Sequence, residues 1–75
     1  MHLRVHGIVQ GVGYRHALRQ QATHLGLTGW VRNRGDGTVE AVACGAPDRV
    51  EALIAWSRRG PAMARVDRVE VTPGE

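Results

Sequence analysis

Alternating apolar and polar residues predict that the chain begins with a β-strand over residues 2–9. The apolar face consists of Leu3, Val5, Gly7 and Val9. The other face carries His2, Arg4 and His6. These three could form a metal site, but no carboxylate or cysteine joins them locally, so we interpret them as a solvated sheet face.

Apolar residues at helical spacing predict a helix over about residues 13–25. The buried stripe consists of Tyr14, Leu18, Ala22 and Leu25. Gly26 would end the helix at its C′ position, where glycine is favoured. His16 and His24 lie off the stripe, so we interpret both as surface residues. His16 is the one histidine close enough to Arg15 to line a site there.

A β-hairpin is predicted next, because two alternating runs flank a turn that contains Gly35, Asp36 and Gly37. Its strands are predicted over residues 27–33 and 38–44. The first strand turns Trp30 and Arg32 away from the core. The second strand places Val39, Ala41 and Ala43 in the core, and Cys44 at its end is interpreted as a small structural residue.

Pro47 suits the first position of a second helix, and Gly60 with Pro61 would stop it. The inner stripe of this helix is predicted to be Val50, Leu53, Ile54 and Ser57. A last strand is predicted over residues 65–71. Val66 is out of phase with Val69 and Val71, which a β-bulge near Asp67 would reconcile.

The element order predicts an α+β fold, a ferredoxin-like βαββαβ sandwich. Right-handed crossovers give an antiparallel sheet of strand order 4-1-3-2 with two helices on one face. The 75 residues are predicted to form a single domain with a modest core.

Charge and cysteine content narrow the function classes. Ten arginines oppose seven acids, and the formal net charge is +3. The arginines are scattered, and neither predicted central strand carries an aromatic residue, so an RNA-binding module on this fold is disfavoured. Cys44 is the lone cysteine, and neither a long apolar run nor a signal-peptide pattern is found. These features predict a cytoplasmic protein without a membrane partner.

Residues 7–15 form a glycine-rich stretch between the first strand and the first helix. Unpaired main-chain N–H groups at a helix N-terminus attract anions. Arg15 lies at the unfavourable end of the helix dipole unless an anion sits beside it, and its guanidinium suits phosphate. The alternative is a plain turn followed by a solvated arginine. The stretch matches neither the P-loop nor the dinucleotide-binding pattern.

Two motifs together resemble the acylphosphatase family. The first is Gly7-x-Val9-Gln10-Gly11-Val12-Gly13-Tyr14-Arg15. The second is Gly29-Trp30-Val31-Arg32-Asn33-x-x-Asp36-Gly37-x-Val39-Glu40. Tyr14 stands where many members have phenylalanine.

The resemblance implies hydrolysis of an acyl phosphate to a carboxylate and inorganic phosphate, without a metal or organic cofactor. Arg15 would be the phosphate-binding arginine, and Asn33 would hold the attacking water. The phosphate would be cradled by main-chain N–H groups of Gln10, Gly11, Val12, Gly13, Tyr14 and Arg15.

Two alternatives keep the site but change its task. One is a non-catalytic phosphate-binding or anion-binding regulatory domain. The other is a carbamoyl-phosphate-handling module like those at the N-terminus of hydrogenase-maturation carbamoyltransferases.

Family members usually continue past the fourth strand into a fifth strand at a sheet edge. In the given sequence, Pro73-Gly74-Glu75 is too short to supply that strand, so the resemblance predicts a free edge along residues 27–33. Arg32 and Arg34 would guard that edge by repulsion, whereas Trp30 would favour contact. We expect a marginally stable monomer that self-associates through this edge at high concentration.

Overall fold

The computed structural model describes residues 1–74 and contains four strands and two helices. The elements are β1 (His2–Ile8), α1 (Tyr14–His24), β2 (Thr28–Asn33), β3 (Val39–Cys44), α2 (Pro47–Arg59) and β4 (Arg65–Thr72). This is the predicted βαββαβ order, and each element bound lies within one residue of the predicted one.

The strands form one antiparallel sheet of order β2-β3-β1-β4, which confirms the predicted order read from the other edge. Both β1 and β2 run antiparallel to β3. They therefore end at the same end of the sheet. This topology brings the loop that follows β1 and the turn that follows β2 close together, although they are far apart in sequence.

The helices cover one face of the sheet, and the core lies between them and that face. The core residues are Leu3, Val5, Val9, Tyr14, Leu18, Leu27, Val39, Ala41, Ala43, Val50, Leu53, Ile54 and Val69. Full burial of one Val or Leu side chain contributes about 1.5–3 kcal/mol. The predicted α2 stripe is buried as expected, including Ser57.

The irregularity predicted in the last strand is a β-bulge. His6 opposes Arg68, whereas Gly7 opposes Val66, so Asp67 is the extra residue on β4. The bulge changes the phase of β4, which allows both Val66 and Val69 to pack against the core.

Gly26 ends α1 as predicted. It has a φ of 72°, its N–H donates to the Thr23 carbonyl at 3.0 Å, and the Leu27 N–H donates to the Ala22 carbonyl at 2.9 Å. These two bonds form a Schellman motif, for which a positive φ at Gly26 is required. The motif reverses the chain directly into β2.

Candidate active site

The loop of residues 9–13 joins β1 to α1 and contains two glycines in the left-handed backbone region. Gly11 and Gly13 have φ values of 76° and 79°, whereas Val12 between them has a negative φ. Within residues 1–74, the main-chain N–H groups of these three residues have no hydrogen-bond acceptor. Alternating backbone hand turns successive N–H groups toward one point, where they can bind an anion.

The glycines in this loop are required by their backbone conformation, and not because a side chain would lack space. A Cβ atom at Gly11 or Gly13 would meet no heavy atom within 4 Å. Positive φ values are unfavourable for residues with a side chain, so only glycine adopts them here at low cost.

The N-terminus of α1 adds further donors to the loop. Gly13 is the N-cap residue and provides no side-chain cap, and the first turn of α1 has no acidic residue. The first N–H groups of a helix lack intrahelical acceptors and carry the positive end of the helix dipole. Arg15 is exposed and forms no ion pair with any carboxylate of the described chain. An anion at this point would therefore meet both the N–H groups and the guanidinium.

Tyr14 fixes the start of α1 in the core. Its ring is fully buried, and its centroid lies 5.8 Å from that of Trp56. The hydroxyl donates to the Ser57 carbonyl at 2.7 Å. Since Arg15 follows directly, this anchor on α2 also limits the movement of the arginine backbone.

Asn33 is the last residue of β2 and is exposed. It is paired with Val39, a fully buried core residue. Directly opposed residues of an antiparallel pair project to the same face of the sheet. The Asn33 side chain therefore leaves the sheet on the helix-bearing face, at the end where the 9–13 loop enters α1.

A direct link joins the loop to the turn of residues 34–38. The Gln10 amide nitrogen Nε2 donates to the Arg34 carbonyl at 2.8 Å and to the Thr38 carbonyl at 2.9 Å. Within residues 1–74, these two bonds are the hydrogen bonds that connect the loop to the turn. Over the same residues, neither Arg15 nor Asn33 forms a hydrogen bond between the loop and the turn.

Comparisons with known proteins identify the family to which the chain belongs. The acylphosphatase family model matches residues 1–75. The protein named acylphosphatase from Acidovorax sp. (strain JS42) is 61% identical over 70 residues, covering 93% of this chain and 72% of that relative. The chain belongs to the acylphosphatase family. The acylphosphatase structure from Bacillus subtilis superimposes with a TM-score of 0.92 at 35% identity, covering 95% of this chain and 79% of that one.

The acylphosphatase fold also occurs within a much larger chain. The structure titled full-length HypF in the phosphate- and nucleotide-bound form matches with a TM-score of 0.81 at 30% identity. The match covers 92% of this chain but only 9% of HypF. It therefore relates this chain to a small part of that protein.

The sequence motifs of the acylphosphatase family lie together in this chain, at one end of the sandwich. The glycine loop precedes α1, Arg15 lies in its first turn, and Asn33 ends β2. A pocket of about 250 Å³ opens beside Asn33. It is lined by Arg32, Asn33, Arg34 and Gly35. His16 and His24 are exposed, as predicted.

Sequence reasoning missed a charged cluster on the open face of the sheet, the face without helices. Glu40 Oε1 accepts from both Arg32 and Arg34, and Glu40 Oε2 lies 2.6 Å from His2 Nε2. These contacts, led by His2 and Arg34, lower the pKa of Glu40 from 4.5 to about 2. The hairpin register would have predicted the Arg32–Glu40 pair, since the two are directly opposed.

The His2, Arg4 and His6 face, predicted to be merely solvated, is also ordered by acidic partners. His6 Nε2 lies 2.7 Å from Glu70 Oε1, and an Arg4 guanidinium nitrogen lies 3.9 Å from Asp36 Oδ2. Among residues 1–74, no group of three or more His, Cys, Asp or Glu side chains is arranged to hold a metal ion. Neither helix has the length and apolar character needed to cross a membrane.

Proposed function

We propose that this protein hydrolyses the carboxyl–phosphate bond of acyl phosphates. The observation that carries the proposal is the loop of residues 9–13, whose N–H groups and helix N-terminus form an anion cradle. Arg15 lies beside it and pairs with no carboxylate among residues 1–74. Asn33 emerges at the same end of the sandwich, which supports a role in holding water. Membership of the acylphosphatase family supports the same activity.

In the proposed reaction, the N–H groups of residues 10–15 and the Arg15 guanidinium hold the phosphate. The arginine fork can bind two phosphate oxygens at once. Asn33 orients water, since its amide oxygen accepts a hydrogen bond and its NH₂ group donates one. Positioning and charge stabilisation supply most of the catalysis of phosphoryl transfer.

The atoms balance without a covalent enzyme intermediate. The water oxygen forms a bond to phosphorus as the bond from phosphorus to the acyl oxygen breaks. The carboxylate leaves with the bonding electron pair. Both water protons are carried by the phosphate product, H₂PO₄⁻, which can then release one of them to solvent. A carboxylate is a good leaving group, so the scheme requires no metal or organic cofactor.

The test measures hydrolysis of an aryl acyl phosphate by the wild type, Arg15→Ala and Asn33→Ala, with and without a chelator. Arg15→Ala should lose at least about 10²-fold in kcat/KM, as is typical of losing one preorganised donor. It should also weaken inhibition by inorganic phosphate. Asn33→Ala should lower kcat far more than phosphate affinity, because it positions water.

Arg19→Ala is the matched control for the arginine variant. Arg19 is exposed one turn further along α1, so its loss should change activity less than twofold. Near-normal turnover in Arg15→Ala would contradict the assignment of that residue. Loss of activity on chelation, restored by a divalent ion, would contradict the metal-free scheme.

The two alternatives give different results in the same assay. A non-catalytic phosphate-binding domain would bind inorganic phosphate without turnover. A carbamoyl-phosphate module would prefer carbamoyl phosphate to aryl acyl phosphates. No contact among the described residues favours either over general acyl phosphate hydrolysis.

The proposed partners are the acyl phosphate substrate and the inorganic phosphate product. Nucleic acid and membranes are not proposed as partners. We propose a cytoplasmic location and a monomer at low concentration. The location rests on the lone Cys44 in the sequence.

A further inference from the structure

The side chain of Gln10 connects the two halves of the proposed site, the loop of residues 9–13 and the turn of residues 34–38. Its main chain belongs to the phosphate cradle, while its side chain reaches the turn that follows Asn33. Its Nε2 group makes two hydrogen bonds, of 2.8 and 2.9 Å, to carbonyls 24 and 28 residues away. Both N–H bonds of the amide are thus used.

The two accepting carbonyls lie on opposite limbs of the turn. Arg34 is the residue after Asn33, and Thr38 precedes β3. A planar NH₂ group that bonds both limbs fixes the distance and orientation of the turn relative to the loop. Asn33 is covalently attached to one of these limbs, so its position follows that of the Arg34 peptide.

The turn does not need Gln10 for its own hydrogen bonds. The Arg34 N–H donates to the Thr38 carbonyl at 2.9 Å, and the Gly37 N–H donates to the Arg34 carbonyl at 3.1 Å. Both carbonyls therefore keep a donor when the glutamine amide is removed. An apolar residue at position 10 would leave the hairpin closed but no longer tied to the phosphate loop.

We propose that Gln10 is a positioning residue, whose side-chain amide aligns Asn33 with the phosphate held by the loop. This inference rests on the proposed function. It assigns the alignment of the phosphate loop with Asn33 to one side chain. A misplacement of about 1 Å can reduce a rate about 10²-fold when the reaction depends on orientation.

The test compares Gln10→Met, which has similar length but no donor, with Gln10→Asn, whose amide is one methylene shorter. Each variant should lower kcat about 10- to 100-fold, since the water is misaligned. The inhibition constant of inorganic phosphate should change less than about threefold, because the cradle N–H groups remain. Gln20→Met, at an exposed position of α1, is the matched control and should keep wild-type kcat.

A double-mutant cycle with Asn33→Ala separates positioning from general structural damage. If Gln10 acts through Asn33, Gln10→Met should lower kcat little further in the Asn33→Ala background. Thermal unfolding of each variant checks that the fold is retained.

A kcat within twofold of wild type in Gln10→Met would overturn the inference, as would a full additional loss in the Asn33→Ala background. Equal losses of kcat and phosphate affinity would also overturn it. Failure of the proposed function is a separate result: the wild type itself would then show no hydrolysis.

Discussion

At the scale of single residues, Tyr14 connects the site to the core. An ordinary helix would pair the Ser57 carbonyl with the N–H of residue 61, but Pro61 has none. The Tyr14 hydroxyl donates to that carbonyl instead. Burial raises the pKa of this hydroxyl above its usual range, so it remains a donor. Gly60 makes room, since a Cβ there would lie 3.0 Å from the Tyr14 ring.

We therefore expect Tyr14→Phe to lower the free energy of unfolding by about 1–3 kcal/mol, the cost of a buried carbonyl left without a donor. Denaturant unfolding at neutral pH measures the change. Tyr14→Leu is the comparison, because it also removes the ring packing against Trp56 and should cost more. Equal stability of wild type and Tyr14→Phe would show that water replaces the hydroxyl.

At the scale of elements, the β2–β3 hairpin is stabilised by one carboxylate. Glu40 on β3 accepts from Arg32 on β2 and from Arg34 in the turn, and it also pairs with His2 on β1. Arg32 and Arg34 were expected to repel other chains, but Glu40 partly neutralises their charge within the molecule. This cluster ties together three neighbouring strands on the open face.

The lowered pKa of Glu40 makes hairpin stability depend on pH. A carboxyl whose pKa is depressed in the folded state contributes stability above its unfolded pKa of 4.5, and loses it as pH falls toward about 2. We expect the melting temperature of the wild type to fall over this range. The difference between wild type and Glu40→Gln should be largest at pH 6 and shrink toward about pH 2.

Asp36 and Glu70 also have lowered pKa values, chiefly through Thr38 and His6 respectively. They contribute equally to the acid unfolding of the wild type and of Glu40→Gln. Their effects therefore cancel in the difference between the two curves of melting temperature against pH. Parallel curves for wild type and Glu40→Gln would contradict the role given to Glu40.

At the scale of the whole molecule, the sheet of residues 1–74 has two edge strands, β2 and β4. At the first of these edges, β2 pairs with β3 alone. Trp30 on this strand is 45% exposed, and the Arg32 guanidinium lies 5.0 Å from its ring centroid. A groove of about 500 Å³ runs between α1 and this edge, lined in part by Leu18, Leu27 and Leu53. An open edge beside an apolar groove favours pairing with another chain.

We expect concentration-dependent self-association through β2, measured by sedimentation equilibrium. Trp30→Lys should weaken it, because a charge at a sheet edge opposes strand pairing. Met63→Lys is the matched control: Met63 is 78% exposed but lies outside the sheet. The N–H groups of residues 28–33 that point away from β3 should exchange fast in a dilute sample and more slowly at high concentration. Strong protection of these outward N–H groups in the dilute monomer would contradict a free edge.

Much of the fold was determined by local patterns in the sequence. The period-two runs predicted the four strands, the apolar stripes predicted both helices, and Gly26 and Pro47 predicted helix ends. Even the bulge at Asp67 was predictable, because Val66 broke the alternation of its strand. These features depend on side-chain period and backbone conformation, both of which are written within a few residues.

The contacts between distant segments were decided only by the tertiary structure. The sequence indicated the main chain of Gln10 as part of a loop, but not that its side chain would reach Arg34 and Thr38. Likewise, nothing near Tyr14 in sequence indicates Ser57 as its acceptor, 43 residues away. Such contacts depend on how the sheet order places β1 beside β3 and packs α1 against α2, a property of the whole fold and not of local periodicity.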